Sequence, residues 1–160
     1  MTAPSAYKIP RSVLVVIHTP EAQVLLIERV GHPGFWQSVT GSIDEADKSL
    51  RHTAQREVWE ETGIEAPLKA FRDWKLSNTY EIYPAWRHRY APGVTHNTER
   101  VFSLCVPAGT PVRLSSHEHQ AFQWLDWCAA ADACFSASNA EAVLWLPRFH
   151  GLPALQGPAS

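Results

Sequence analysis

Cysteine is scarce in this chain, and long apolar runs are absent. The three cysteines, Cys105, Cys128 and Cys134, are odd in number and form no C-x-x-C pair. That pattern argues against a disulfide framework and against a zinc knuckle, and it fits a reduced, cytoplasmic setting with the three thiols as core hydrophobes. No apolar stretch approaches the roughly 18 residues of a membrane span, and Met1 to Ile9 lacks the charged-then-apolar pattern of a leader. Nor is there a long basic block. The formal net charge is −2, so the chain is not built to track a nucleic-acid backbone, although locally gathered basic residues could still hold a small anion.

What is present is a globular composition. The chain has 160 residues, 45% of them hydrophobic and 19% charged, enough for one domain with a substantial core. Residues 1–150 read as that domain, and the Gly- and Pro-bearing segment 151–160 as a loose tail. Ser12 to His18 and Gln23 to Glu28 read as a hairpin of two strands, and Phe35 to Thr40 as a short third. Leu50 to Thr62 reads as a helix with Leu50, Ala54 and Val58 facing a sheet, Asp47 as its N-cap and Gly63 ending it. Phe71 to Leu76, Tyr80 to Tyr90, Arg100 to Val106 and Phe122 to Leu125 read as further strands. Trp127 to Cys134 reads as helical, and Ser138-x-x-Glu141 as a capping box opening a helix that Pro147 stops. The pattern predicts an α/β protein with a mixed sheet between helices.

The chemistry concentrates in Gly41-Ser42-Ile43-Asp44-Glu45-Ala46-Asp47 and the run Arg56-Glu57-Val58-Trp59-Glu60-Glu61-Thr62-Gly63-Ile64. On a helix, Glu57 and Glu61 lie about 40° apart and Glu60 about 60° to the other side, making one acidic edge. Such an edge repels itself unless neutralised, and hard divalent cations such as Mg²⁺ seek this kind of oxygen ligand. Arg56 can brace Glu60 by an i,i+4 pair.

This stretch resembles the Nudix box, G-x5-E-x7-R-E-U-x-E-E-x-G-U, with U a bulky aliphatic residue. Arg56 to Ile64 matches at every specified position. The first half departs: Arg56 lies fifteen positions after Gly41 rather than fourteen, and Asp47 or Lys48 stands where the motif has glutamate. Stretches outside the box, among them Phe35-Trp36-Gln37-Ser38-Val39-Thr40-Gly41-Ser42 and Arg87-His88-Arg89-Tyr90-Ala91-Pro92-Gly93-Val94-Thr95, resemble the dihydroneopterin triphosphate diphosphatases of bacterial folate synthesis.

The resemblance implies an α/β/α sandwich and Mg²⁺-dependent release of pyrophosphate from a small-molecule triphosphate. It implies Glu57, Glu61 and Glu118 as metal ligands, with Glu118 also a candidate general base and Glu60 part of the catalytic group. Lys8, Arg29, Thr40, Tyr80, Glu81, Ile82, Tyr83 and Ser136 are implied as substrate contacts. Two other readings stay open: a nucleotide-pool enzyme acting on dNTPs, and a Nudix-like domain that binds without turnover.

Bracing Arg56 is an adequate structural role for Glu60, and His117 and His119 read as an exposed or hydrogen-bonded pair rather than a zinc site. Arg87 and Arg89 alternate onto one face of a strand, as phosphate contacts or as plain surface charge. Tyr80 and Tyr83 point to opposite faces of a regular strand, which makes one of them core unless a loop intervenes.

Overall fold

The computed structural model describes residues 7–150; the predicted tail lies outside them. Seven strands form one mixed sheet: β1 (Arg11–His18), β2 (Gln23–Arg29), β3 (Trp36–Gln37), β4 (Val39–Ser42), β5 (Phe71–Glu81), β6 (His96–Cys105) and β7 (His119–Asp126). Four helices cover it: α1 (Leu50–Thr62), α2 (Trp127–Ala133), α3 (Ala137–Leu144) and α4 (Leu146–His150). The path runs β3-β2-β1-β6-β5, with β4 beside β1 and β7 beside β2. Among the described strands, β1 and β6 run parallel and the other strand pairings are antiparallel.

β1 is the central strand, and its sequence shows it. Val13 to His18 are all buried, because both faces of the strand are covered. Val13, Val15 and Ile17 pack with Ala54 and Val58 of α1 and with Phe102 and Leu104. Leu14 and Val16 pack on the opposite face with Val101, Trp74, Ala130, Val143 and Leu146. This is the expected α/β/α layering. One edge of β1 is shared: its first half pairs with β4, from Ser12↔Ser42 to Val15↔Val39, and only its end meets β2, at His18↔Val24.

Several local expectations change. The segment Phe35 to Thr40 is split at Ser38, whose N–H donates to Asn139 Oδ1 at 2.8 Å while Asn139 Nδ2 donates to Ser38 Oγ at 2.9 Å. Ser49, not Asp47, caps α1 by accepting from the His52 N–H; Asp47 turns its carboxylate to Arg56 instead. Gly63 ends α1 as expected, at φ 70°, donating to Trp59 O. Ser136 rather than Ser138 caps α3, accepting from the Asn139 N–H. That helix ends at Leu144, and Pro147 falls in the first turn of α4, where a missing N–H costs nothing.

The predicted strand from Tyr80 to Tyr90 does not form. β5 ends at Glu81, and Pro84–Arg89 is a 3₁₀ turn. Pro84 cannot continue a ladder, and the turn ties its last residues back through Trp86 N→Tyr83 O and Tyr90 N→Arg87 O. Arg87 and Arg89 therefore do not share a strand face. Of the cysteines, Cys105, where β6 ends, is exposed, and Cys128 and Cys134 are half-buried; Cys134 alone packs against the core, on the cluster that holds Leu14 and Val16 of β1.

Candidate active site

α1 and the strands around it enclose one end of a cleft of about 1420 Å³. Its walls come from β4, α1, the starts of β1 and β6, residues 80–90, residues 117–119 and the start of α3. The three glutamates of α1 divide. All three line the cleft, but Glu61 is 4% exposed and Glu57 half-buried, while the Glu60 side chain is 53% exposed and paired with Arg56.

Arg56 is the corner brace of this arrangement. Its Nε and Nη2 reach Asp47 Oδ1 and Oδ2 at 3.1 and 2.9 Å, and Nη2 also donates to Ser42 O at 3.1 Å. Nη1 reaches Glu57 Oε1 at 2.8 Å and Glu60 Oε2 at 3.3 Å. The guanidinium holds the Asp47 carboxyl down at about 2. Asp47, at the irregular position of the box, thus fixes Arg56 to the loop after β4, a role the capping prediction missed.

Burial, augmented by Glu60 and Glu118 and opposed by Arg56, pushes the Glu57 carboxyl up to about 7. Glu61 is raised well above the ordinary range, first by burial and then by Glu57 and Glu118, although the Thr40 main chain hydrogen-bonds it. Its Oε2 is buried and has no partner. Buried carboxylates that repel one another are costly unless a cation joins them.

Glu118 brings its carboxylate from a loop whose main chain is pinned to the residue just after β2 through Val30 N→Glu118 O at 2.9 Å. A register shift in β2 between Glu28 and Arg29 sets Arg29 opposite His119. Ligand atoms of Glu61, Glu118 and His119 lie within 4.8 Å of one another. The two histidines are therefore not a pair: His117 is exposed, while His119 is buried, and its Nδ1 has no partner. Burial lowers the His119 pKa, favouring the neutral ring that can ligate a metal. The oxygen-rich set, with an orphaned buried carboxylate oxygen, fits a divalent cation. Glu57 faces Arg56 and stands outside this closest group.

The same cleft is lined by cations that lie within electrostatic reach of the acids. Lys8 is joined to the 80–90 segment by its N–H donating to Arg89 O at 2.9 Å. Its pKa is lowered by burial and by Arg89, and that of Arg29 likewise. Cations gathered this closely are suited to a multiply charged anion. Arg29 also lies over the Trp86 ring, 4.9 Å from its centroid.

The remaining predicted contacts line the same cleft: Thr40, Tyr80, Glu81, Ile82, Tyr83 and Ser136. They differ in what is available for a ligand. Glu81 pairs with Arg87, which also donates to Ile82 O. The Ile82 side chain is buried and its N–H donates to Thr95 O, so it anchors the loop. Tyr80 and Tyr83 are 37% and 51% exposed, so neither is core; the strand ends between them. Tyr83 meets Trp86 edge-on at 5.3 Å and Phe135 at 6.1 Å. Trp86 and Phe135 complete an aromatic wall that the sequence reading did not single out. Trp86 sits inside the stretch misread as strand, and nothing local to Phe135 signals that it stacks on Phe35 at 4.0 Å.

This geometry has close relatives. The chain is 42% identical over 140 residues to the dihydroneopterin triphosphate diphosphatase of Escherichia coli, covering 86% of this chain and 91% of that protein. The Haemophilus influenzae protein of the same name is 41% identical, covering 86% and 87%. The solved structure of the E. coli dihydroneopterin triphosphate pyrophosphohydrolase superimposes with a TM-score of 0.79 at 40% identity, covering 91% of this chain and 97% of that one. The model of the NUDIX domain matches residues 8–146. Fold, acidic helix and relatives agree, and the chain belongs to the Nudix family.

Proposed function

We propose that this protein is a cytoplasmic, Mg²⁺-dependent pyrophosphohydrolase that converts dihydroneopterin triphosphate to the monophosphate and pyrophosphate. The observation that carries the reading is that one cleft is lined by buried acids, by cations close enough to couple to them, and by an aromatic wall. The substrate follows its similarity to the E. coli and H. influenzae proteins.

Glu61 and Glu118 would hold the metal, with His119 close enough to join them and Glu57, one turn before Glu61 on α1 and lining the same cleft, as a further ligand. When bound, the metal neutralises phosphate charge and lowers the pKa of the attacking water. Lys8, Arg29 and Arg89 hold the phosphate chain: the arginines can do so with a planar fork, the lysine as a point charge. Glu118, on a loop rather than packed in α1, takes the proton from water. Thr40 orients Glu61 through its main chain. Tyr83, Trp86 and Phe135 offer π-faces to a flat bicyclic ring, and Ser136 presents the start of α3 beside them.

The test is a panel of pterin triphosphate and dNTPs assayed for pyrophosphate release. The reading expects pterin triphosphate to have the higher kcat/KM. A tenfold preference for a dNTP would assign the enzyme to nucleotide-pool cleansing, and no turnover of any triphosphate would make it a binding domain.

A further inference from the structure

At the end of the cleft formed by β1, β5 and β6 lies a group that the reaction above does not use. Asn97 and Glu99 alternate onto one face of β6, beside Ser12 and Leu14 of the adjoining β1, and all four line the cleft. Glu99 is 4% exposed, and its Oε1 is buried without a hydrogen bond. Burial is the cause that raises its carboxyl to about 7. Asn97, 1% exposed, donates from Nδ2 to Ser12 Oγ at 2.7 Å and to Tyr80 Oη at 3.0 Å, which leaves its Oδ1 without a donor. Two buried acceptors therefore stand side by side on one strand. Unpartnered buried acceptors are costly, and a ligand edge rich in N–H donors would satisfy both.

We propose that Glu99 sets the ring specificity of the cleft by accepting the adjacent N–H donors of a 2-amino-4-oxo pyrimidine edge, with Asn97 Oδ1 as a further acceptor. The inference rests on the pyrophosphohydrolase reading and adds a specificity residue to it. That edge carries a ring N–H beside an amino group, two parallel donors that match the two oxygens of one carboxylate. Pterins and guanine share it. Adenine instead sets a ring-nitrogen lone pair beside its amino group, and that lone pair would face a carboxylate oxygen. A site built to accept hydrogen bonds discriminates strongly against a ring that cannot donate them.

The experiment compares wild type with Glu99→Gln and Glu99→Asp. It reads kcat/KM for GTP and ATP, and the calorimetric Kd of GDP and ADP in Mg²⁺. Gln keeps the size of Glu but turns one acceptor into a donor; Asp keeps the charge and withdraws it by one methylene. The guanine ligands are expected to lose about 10- to 100-fold in both variants, and the guanine-to-adenine ratio to fall with them. A thermal melt identifies a variant that does not fold, in which case the other decides. An unchanged ratio, or wild-type protein that binds GDP no tighter than ADP, overturns the inference. If wild type turns over no triphosphate, the pyrophosphohydrolase reading fails and the two diphosphate affinities still decide Glu99. If pterin triphosphate is hydrolysed and the ratio does not move, only Glu99 is wrong.

Discussion

The Glu57 carboxylate occupies the space that a Cβ on Gly41 would fill: a methyl group there would overlap its Cγ, Cδ and Oε1. β4 and α1 approach this closely because residue 41 has no side chain, and the first glycine of the box is explained by the fit rather than by a turn. Gly41→Ala is expected to push Glu57 off its position and lower kcat/KM by about 10²-fold, the scale of an ångström of misplacement. A steady-state assay beside a melting curve checks this, and a variant with wild-type kcat/KM would show that the close approach is dispensable.

Asp47 and Arg56 make a two-pronged pair that ties the loop after β4 to α1. The folded Asp47 carboxyl is depressed to about 2 from its ordinary 3.8. Its contribution to stability is therefore present above about pH 4 and is lost as pH falls through about 2. Asp47→Asn should cost about 1 kcal/mol at neutral pH, a modest figure because Arg56 is partly exposed. Urea titrations at pH 7 and pH 2 should show the difference between wild type and variant shrinking in acid.

Glu99 has the opposite sign. Its folded carboxyl is raised to about 7 from 4.5, so the stability it allows is complete below about pH 4.5 and is lost as pH rises through 7. Glu99→Gln removes that loss and should be more stable than wild type by about 1–3 kcal/mol at pH 8, with little difference at pH 4. Denaturant unfolding at the two pH values reads it.

Asn139 joins α3 to the break between β3 and β4 through two buried hydrogen bonds with Ser38. Asn139→Ala leaves the Ser38 N–H without that acceptor and should cost about 2–3 kcal/mol. Chemical denaturation provides the number.

Much of this was legible in the chain because particular residues leave one physical option. β1 is apolar at every position from Val13 to Ile17 and had to be covered on both faces. Leu50, Ala54 and Val58 could serve only a helix packed on a sheet, and they do. The carboxylate edge was visible from spacing, but its division was not: Glu61 is buried and Glu60 left exposed because the depth of α1 against β4 is a tertiary fact. The stretch Tyr80 to Tyr90 misled because aromatic content favours strand, and Pro84 outweighed it. Asp47 and Ser49 are both good caps, and the choice turned on Arg56, nine residues beyond Asp47. Phe135, His119 and Glu99 reach the cleft from three separate elements, so no local pattern could assemble them.

The most direct measurement is pyrophosphate release from dihydroneopterin triphosphate as a function of Mg²⁺ concentration, for wild type and Glu61→Gln. The account predicts wild-type turnover that rises from near zero to saturation with Mg²⁺, and a variant slower by about 10³-fold at saturation, the scale of removing one group that stabilises transition-state charge. Turnover that ignores Mg²⁺, or a Glu61→Gln variant as fast as wild type, would contradict it.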